Sequence, residues 1–190
     1  MPQLGVVVAS VREGRSGLAV AQWFVDRARA HGGFDLTLID LRAVKLPLLE
    51  EPNHPRTQKY QQETTKAWSA IVAPLDAFVF VTAEYNYSTP PALVNALDHL
   101  YVEWNYKAAG LVSYGGISGG MRAAQMLKQT LLALKMVPIN EAVAIPFFAQ
   151  MMDKESGAFK GTEAYEKAAA TMLDELKRWD GALATLRGRQ

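Results

Sequence analysis

A loop near the N-terminus carries the residue types that bind a phosphate group. Residues 10–17 read Ser-Val-Arg-Glu-Gly-Arg-Ser-Gly. Serine hydroxyls, arginine side chains, backbone N–H groups freed by glycine and a helix N-terminus all favour an anion. The loop is neither Gly-x-Gly-x-x-Gly nor a Walker A sequence, which disfavours the standard dinucleotide and nucleoside-triphosphate pockets. One terminal phosphate monoester fits it better.

A plain helix cap with two solvated arginines is the alternative for this loop. On these residues alone the two interpretations are equally well supported. The loop directly follows an apolar run with the composition of a buried strand. This position favours the phosphate site, because ligands of open parallel sheets bind beyond the carboxyl ends of the strands.

A second polar loop follows the apolar run at residues 77–81. It contains Glu84, Tyr85, Asn86 and Tyr87, and Pro90-Pro91 then opens a segment with helical spacing. Amide dipoles, backbone N–H groups and tyrosine rings in one loop suit a flat, partly polar heteroaromatic ligand. The alternative is that the tyrosines only complete the core or its rim.

A third loop, residues 114–120, reads Tyr-Gly-Gly-Ile-Ser-Gly-Gly. Gly115 and Gly116 would let a backbone approach the same ligand from the opposite side. A tight turn would use the same glycines. For each loop alone, a plain cap, a packing role or a tight turn is a competitive explanation. Three such loops at strand ends on one side of a sheet favour a shared binding site instead.

The loops need strands before them and helices after them. Buried-strand patterns occur at residues 4–9, 36–41, 77–81, 109–113 and within 137–147. Helical patterns occur from the Ser16 N-cap to Gly32, at 57–71, after Pro90, around 123–134 and at about 162–186, while 42–55 is irregular and 152–161 is a surface connection. This alternation predicts one domain over residues 1–190. Its fold class is three-layer α/β, with a flavodoxin-like, doubly wound, five-stranded parallel sheet of order 2-1-3-4-5.

The composition argues against several classes of function. The chain has 190 residues, 49% hydrophobic and 21% charged, as one globular core requires. Its formal net charge of +1 without a clustered basic face disfavours nucleic acid. The absence of cysteine removes disulfides, thiolate catalysis and Cys-ligated metal. The N-terminus lacks a signal-peptide pattern and no apolar run is long enough for a membrane span, so we expect a cytoplasmic protein with no membrane partner.

No catalytic or metal-binding constellation is evident. The three histidines lack the spacing of a triad or of a metal site: His31, His54 and His99. Three carboxylates are interpreted as solvated or capping groups: Asp76, Asp98 and Glu103. The sequence therefore predicts no catalytic side chain and no metal.

The three loops resemble those of a known family, the NAD(P)H-dependent FMN reductases of flavodoxin-like fold, which include chromate-, quinone- and azo-reducing members. The family's Gly-Ser-x-Arg-x-x-Ser loop appears at residues 9–16, with Ala9 for glycine and one extra residue before Ser16. Its Pro-Glu-Tyr-Asn-x-Ser-x-Pro motif appears at residues 83–90, with Ala83 for proline. Its glycine-rich third loop followed by Arg-Ala appears at residues 115–123. The resemblance covers roughly residues 4–124, and the second motif is long and specific.

The resemblance implies an enzyme that binds FMN and takes a hydride from NADPH or NADH. Electrons would then pass to a small-molecule acceptor: a quinone, an azo or nitro compound, a metal oxyanion or free flavin. Flavin chemistry needs no protein general base. The implied phosphate-binding residues are Ser10, Arg12, Ser16, Gly17 and Leu18. The implied ring-binding residues are Ala83, Glu84, Tyr85 and Asn86 on one side and Ser113, Tyr114, Gly115 and Gly116 near the other edge.

Two other functions suit the same fold. An electron-carrying flavodoxin is one, although such carriers are usually strongly acidic and this chain is near neutral. A flavin-binding interaction protein without NAD(P)H activity, or one that has lost flavin, is the other. The resemblance, together with the aromatic residues Tyr101, Trp104 and Tyr106, also predicts a homodimer or a dimer of dimers.

Overall fold

The computed structural model describes residues 1–188 and has a five-stranded parallel sheet at its centre. The strands are β1 Gln3–Val8, β2 Asp35–Asp40, β3 Ala77–Ala83, β4 Ala108–Tyr114 and β5 Val137–Ile145. Their order is β2-β1-β3-β4-β5, and every neighbouring pair is parallel. The predicted fold class and strand order are confirmed. Residues 189 and 190 of the predicted domain lie outside the described residues.

Helices connect the strands and cover both faces of the sheet. They are α1 Gly17–His31, α2 Leu41–Val44, α3 Glu63–Val72, α4 Pro91–Asp98, α5 Met121–Ala133 and α6 Glu163–Leu183. Short 3₁₀ turns occur at Pro55–Thr57, Val102–Trp104 and Phe148–Met151. Within residues 1–188, no helix is both long enough and apolar enough to cross a membrane.

Two segments differ from the sequence prediction by more than one or two residues at an end. The stretch expected to be irregular begins with α2, because the Asp40 carboxylate accepts a hydrogen bond from the Arg42 N–H at 3.0 Å and caps this short helix. The next helix begins at Glu63 rather than at Thr57, because Pro55 starts a separate 3₁₀ turn.

The sheet separates two apolar cores, and the central strand β3 contributes side chains to both. Successive side chains of a strand point to opposite faces. Val79 and Val81 therefore pack in the core beneath α1 and α6, and Phe78 and Phe80 pack in the core beneath α3, α4 and α5. All seven residues of β3 are buried. Burial of each large side chain contributes roughly 1.5–3 kcal/mol, so these cores hold the strand ends in place.

The aromatic residues that suggested a dimer surface have contacts within one chain. Trp104 is fully buried, with its ring centroid 5.0 Å from that of Phe78. The half-buried Tyr101 ring is covered by the Arg56 guanidinium, whose Cζ lies 4.6 Å from the ring centroid. Trp104 thus belongs to the core, and the dimer stays a prediction.

Candidate binding cleft at the strand ends

The loops after β1, β3 and β4 enclose a cleft at the carboxyl edge of the sheet. The parallel register brings them together, since Val8 pairs with Val81 and Ala83 pairs with Tyr114. The cleft has a volume of about 260 Å³. It is lined by Ser10, Arg12, Glu13, Gly14, Arg15, Ser16, Ala83, Glu84, Tyr85, Tyr114, Gly115, Gly116 and Phe148.

The loop after β1 presents hydroxyl, guanidinium and backbone donors. Ser10 is buried, and its Oγ lies 2.6 Å from the hydroxyl oxygen of Tyr85. The Cζ of the exposed Arg12 lies 5.7 Å from the centroid of the same tyrosine ring. Ser16 occupies the N-cap position of α1, but its side chain makes no capping hydrogen bond. The first N–H groups of α1 have no intrahelical acceptor, so this loop offers an anion several donors.

Arg15 is a cleft residue that the sequence prediction left out. Its guanidinium forms an ion pair with Asp40, and only 10% of its side chain is exposed. Its Nε is buried and has no hydrogen-bond partner within residues 1–188. Asp40 ends β2 and pairs in register with Val8 at the end of β1, so the pair forms only once the two strands are side by side. The ion pair joins the two strand ends beside the cleft.

The loop after β3 is a tight two-residue turn. Tyr85 donates its N–H to the Ser88 carbonyl oxygen at 2.8 Å, and Ser88 donates back to Tyr85 at 3.0 Å. The two central residues, Asn86 and Tyr87, have φ angles of 51° and 67°, as a type I′ turn requires. Asparagine tolerates this left-handed region, whereas a bulky tyrosine adopts it rarely. The turn therefore holds the Tyr85 ring at the wall of the cleft.

Glu84 joins this loop to the loop after β4. Its side chain is 7% exposed, and it accepts hydrogen bonds from Arg122 Nε at 2.7 Å and from Ser118 Oγ at 2.9 Å. Burial alone would raise the pKa of Glu84, but these hydrogen bonds and the Arg122 charge outweigh it and lower the pKa below its usual value. At neutral pH the carboxylate is thus ionised, and both of its oxygens accept hydrogen bonds.

Tyr114 ends β4 and forms one wall of the cleft. It is buried, and its ring centroid lies 5.1 Å from that of Phe148 in an edge-on arrangement. Burial raises the pKa of the Tyr114 hydroxyl, which is therefore neutral at physiological pH. A Cβ atom at Gly17 would lie 2.6 Å from this hydroxyl oxygen. Glycine at the start of α1 is what allows the helix to approach Tyr114 so closely.

All but four of the predicted binding residues line the cleft. Gly17 is buried against the Tyr114 hydroxyl, and Leu18 is exposed. Asn86 lies exposed in the turn. Ser113 is buried, and its Oγ donates to the Gly119 carbonyl oxygen at 2.8 Å. Gly17 and Ser113 therefore support the cleft segments from behind, whereas Leu18 and Asn86 are exposed and do not line the cleft.

Four lining residues were not among those predicted: Glu13, Gly14, Arg15 and Phe148. The first three lie in the loop that the sequence singled out, so only their individual roles were missed. Phe148 follows β5, and a parallel fifth strand brings its carboxyl end to the same edge of the sheet. Among residues 1–188, no group of three or more His, Cys, Asp or Glu side chains is placed to hold a metal ion.

Comparisons with known proteins find relatives that cover much of the chain. The sequence model of the NADPH-dependent FMN reductase family matches residues 2–150. An NAD(P)H-dependent FMN reductase of Schizosaccharomyces pombe is 39% identical over 148 residues, which cover 76% of this chain and 74% of that protein. A probable NADPH:quinone oxidoreductase of Oryza sativa is 38% identical over 79 residues, 40% of this chain and 39% of the relative.

A solved structure has the same fold. The flavoenzyme NAD(P)H:(acceptor) oxidoreductase FerB from Paracoccus denitrificans superposes with a TM-score of 0.73. The match covers 96% of this chain and 98% of FerB, at 21% sequence identity. At this identity the likeness concerns the fold.

Proposed function

The chain belongs to the NADPH-dependent FMN reductase family, and we propose that it holds FMN in the cleft at the strand ends and passes electrons from NADPH or NADH to quinones. As a member of this family it is an oxidoreductase that uses FMN and NAD(P)H. We assign FMN to the cleft because the phosphate-type loop after β1 contacts the tyrosine-bearing loop after β3. Ser10 of the first loop lies 2.6 Å from Tyr85 of the second, hydroxyl to hydroxyl.

The donor set of the first loop fits the phosphate of FMN. Arg12 is exposed at the cleft and has no carboxylate within ion-pair distance among residues 1–188. The Ser16 hydroxyl is not used for capping, and the buried Arg15 Nε lacks an acceptor. A phosphate dianion would satisfy these donors together with the first N–H groups of α1. Arg12, Ser16 and the start of α1 would therefore bind the phosphate.

The other two loops fit a flat ring system. Tyr85 and Tyr114 both line the cleft, and a Cβ atom at Gly116 would meet no atom within 4 Å. Bare backbone on that side leaves room for a ring to lie against the peptide groups of residues 115–116. Tyr85, Tyr114 and the backbone of these two loops would orient the ring.

The protein's own part in the reaction is to bind and orient. Bound FMN supplies the hydride-accepting and electron-passing chemistry. Glu84 is held ionised by Arg122 and Ser118, so it does not act as a proton donor at neutral pH. The neutral Tyr114 and the buried Ser10 keep a hydrogen-bonding but uncharged surface beneath the ligand. No protein side chain is needed as a general base.

Quinones are proposed as acceptors because exposed apolar side chains lie close in the chain to the residues that line the cleft. Ile117 and Phe147, each next to a lining residue in the chain, are 78% and 48% exposed, and Tyr87, two residues after Tyr85, is 64% exposed. A flat apolar acceptor would gain contacts with these groups that a small oxyanion would not. The rice relative's name as a quinone oxidoreductase supports the same class.

An anaerobic mixing experiment tests the proposal. The protein is loaded with FMN and the absorbance of oxidised flavin is followed while NADPH and then a benzoquinone are added. We expect bleaching by NADPH and rapid recovery with the quinone, with slower recovery for chromate at equal concentration. Bleaching without quinone-dependent recovery would overturn the acceptor class, and no bleaching at all would overturn the enzyme's proposed half-reaction.

Assembly as a homodimer and a cytoplasmic location are also proposals. The half-buried rings of Tyr101 and Tyr106 support the first, since a second copy would cover their exposed parts. Sedimentation at micromolar concentration checks it, and a monomer alone would contradict it. The lack of cysteine supports the second, which fractionation of the source cells would check.

A further inference from the structure

A second groove lies on the other side of the phosphate-type loop. It has a volume of about 240 Å³ and includes Val11, Leu41, Arg42, Lys45 and Asn95 in its lining. Ser10 and Arg12 line the cleft described above, whereas Val11, between them in the chain, lines this groove. Consecutive Cα atoms are about 3.8 Å apart, so the loop is a wall shared by the two spaces.

The groove carries two cations without an acidic partner. Among residues 1–188, no carboxylate lies within ion-pair distance of Arg42 or Lys45. Within the described part of the chain, the one hydrogen bond of the Arg42 guanidinium goes from Nη1 to the Arg12 carbonyl oxygen, at 3.5 Å. The neighbouring Asp40 carboxylate forms an ion pair with Arg15 and accepts a hydrogen bond from the Arg42 backbone N–H. The charge of the groove is therefore positive and uncompensated.

The backbone that carries these cations is held firmly. Asp40 caps the start of α2, and Lys45 closes its end in the left-handed conformation by donating its N–H to the Leu41 carbonyl oxygen at 3.2 Å. Leu41 is buried and anchors the turn. Two cations on a fixed turn lose less freedom on binding a ligand than two on a mobile loop.

The groove wall opposite α2 has its polar groups satisfied. Asn95 of α4 donates from Nδ2 to the Pro47 carbonyl oxygen at 2.7 Å and accepts at Oδ1 from the Leu49 N–H at 3.0 Å. Its side chain therefore supports the wall and leaves Arg42 and Lys45 as the charged groups that face a ligand.

We propose that Arg42 and Lys45 bind a phosphate group of the pyridine dinucleotide, in a second anion subsite that shares the residue 10–12 wall with the FMN cleft. The proposal rests on the proposed function, which supplies the dinucleotide. NADPH carries a 2′-phosphate as well as the pyrophosphate, and NADH carries the pyrophosphate alone. A guanidinium and an ammonium suit either group through charge-assisted hydrogen bonds.

The test removes the two charges and measures binding rather than turnover. Arg42→Gln with Lys45→Gln is compared with the parent and with a control, Lys154→Gln with Arg178→Gln, which removes the same charge from exposed residues that line neither space. Each protein is loaded with FMN, and calorimetry gives the affinities for adenosine 2′,5′-bisphosphate, 5′-AMP, NADP⁺ and NAD⁺.

We expect the Arg42/Lys45 variant to bind FMN as the parent does and NADP⁺ about tenfold or more weakly, with the control unchanged. Weakening confined to NADP⁺ and the bisphosphate assigns the subsite to the 2′-phosphate. Equal weakening for NAD⁺ and 5′-AMP assigns it to the pyrophosphate end. Affinities equal to those of the control overturn the subsite. A parent that fails to bind FMN overturns the proposed function instead, so the two failures are distinguishable.

Discussion

Arg122, at the start of α5, donates a hydrogen bond from Nε to Oε1 of the buried Glu84 at 2.7 Å and so ties the loop after β3 to the segment after β4. The same guanidinium lies 3.9 Å from the centroid of the Tyr87 ring. One side chain therefore fixes both the acidic residue and the strained tyrosine of the turn. Its removal should loosen the wall of the cleft without touching the phosphate loop.

Arg122→Gln should lower stability and FMN affinity together. It leaves the Glu84 carboxylate with Ser118 as its side-chain partner, which we expect to cost about 1–3 kcal/mol of unfolding free energy. Arg122→Lys is the matched control, because it keeps the charge but loses the planar fork and should recover part of the loss. Urea unfolding and FMN titration measure both effects. An Arg122→Gln protein of parental stability would show that the ion pair does not hold the loop.

Glu84 also predicts how stability depends on pH. Its pKa in the folded protein is below the ordinary value of 4.5. A carboxyl with a lowered folded-state pKa contributes stability that is present above the unfolded value and lost as the pH falls through the folded value. The parent should therefore lose stability below about pH 4.5 more steeply than Glu84→Gln. Parallel acid profiles for the two proteins would contradict this assignment.

Asn86 tests whether the turn acts through its backbone or through a side chain. Asn86→Ala places alanine at a φ of 51° and should cost about 1 kcal/mol, whereas Asn86→Gly removes the same amide without that strain. If the turn positions the ring through its backbone, the alanine variant binds FMN more weakly and the glycine variant does not. Equal losses in both would mean that the Asn86 amide itself contacts the ligand.

Gly17 should be intolerant of a methyl group because of Tyr114. The Cβ atom of Gly17→Ala would lie 2.6 Å from the Tyr114 hydroxyl oxygen, so the ring or the start of α1 must move. We expect a loss of about 1–3 kcal/mol, by analogy with overpacked cores. In a Tyr114→Phe background the same substitution should cost clearly less. Thermal unfolding of the four proteins gives this coupling, and additive effects would exclude the clash.

Much of the fold was predictable because its signals are local. The apolar runs that became β1, β3 and β4 and the loops after them are separate patterns in the sequence, and parallel pairing brings their ends together. The cleft position followed from the strand order alone.

The details that escaped prediction depend on contacts between distant residues. The Arg15–Asp40 pair and the approach of α1 to Tyr114 join segments that composition treats independently. Trp104 illustrates the same limit, because its spacing does not reveal whether it faces Phe78 or a second chain. Phe148 reaches the cleft only because β5 completes the sheet.

The most direct test of the FMN site compares FMN with riboflavin, which lacks only the terminal phosphate. If the loop after β1 binds that phosphate, the parent should prefer FMN by roughly a hundredfold or more. Arg12→Gln with Ser16→Ala should erase much of this preference. Because Ser16 makes no capping hydrogen bond, α1 should persist, which circular dichroism verifies. We expect a variant that loses affinity chiefly for FMN, and a parent indifferent to the phosphate would contradict the FMN site.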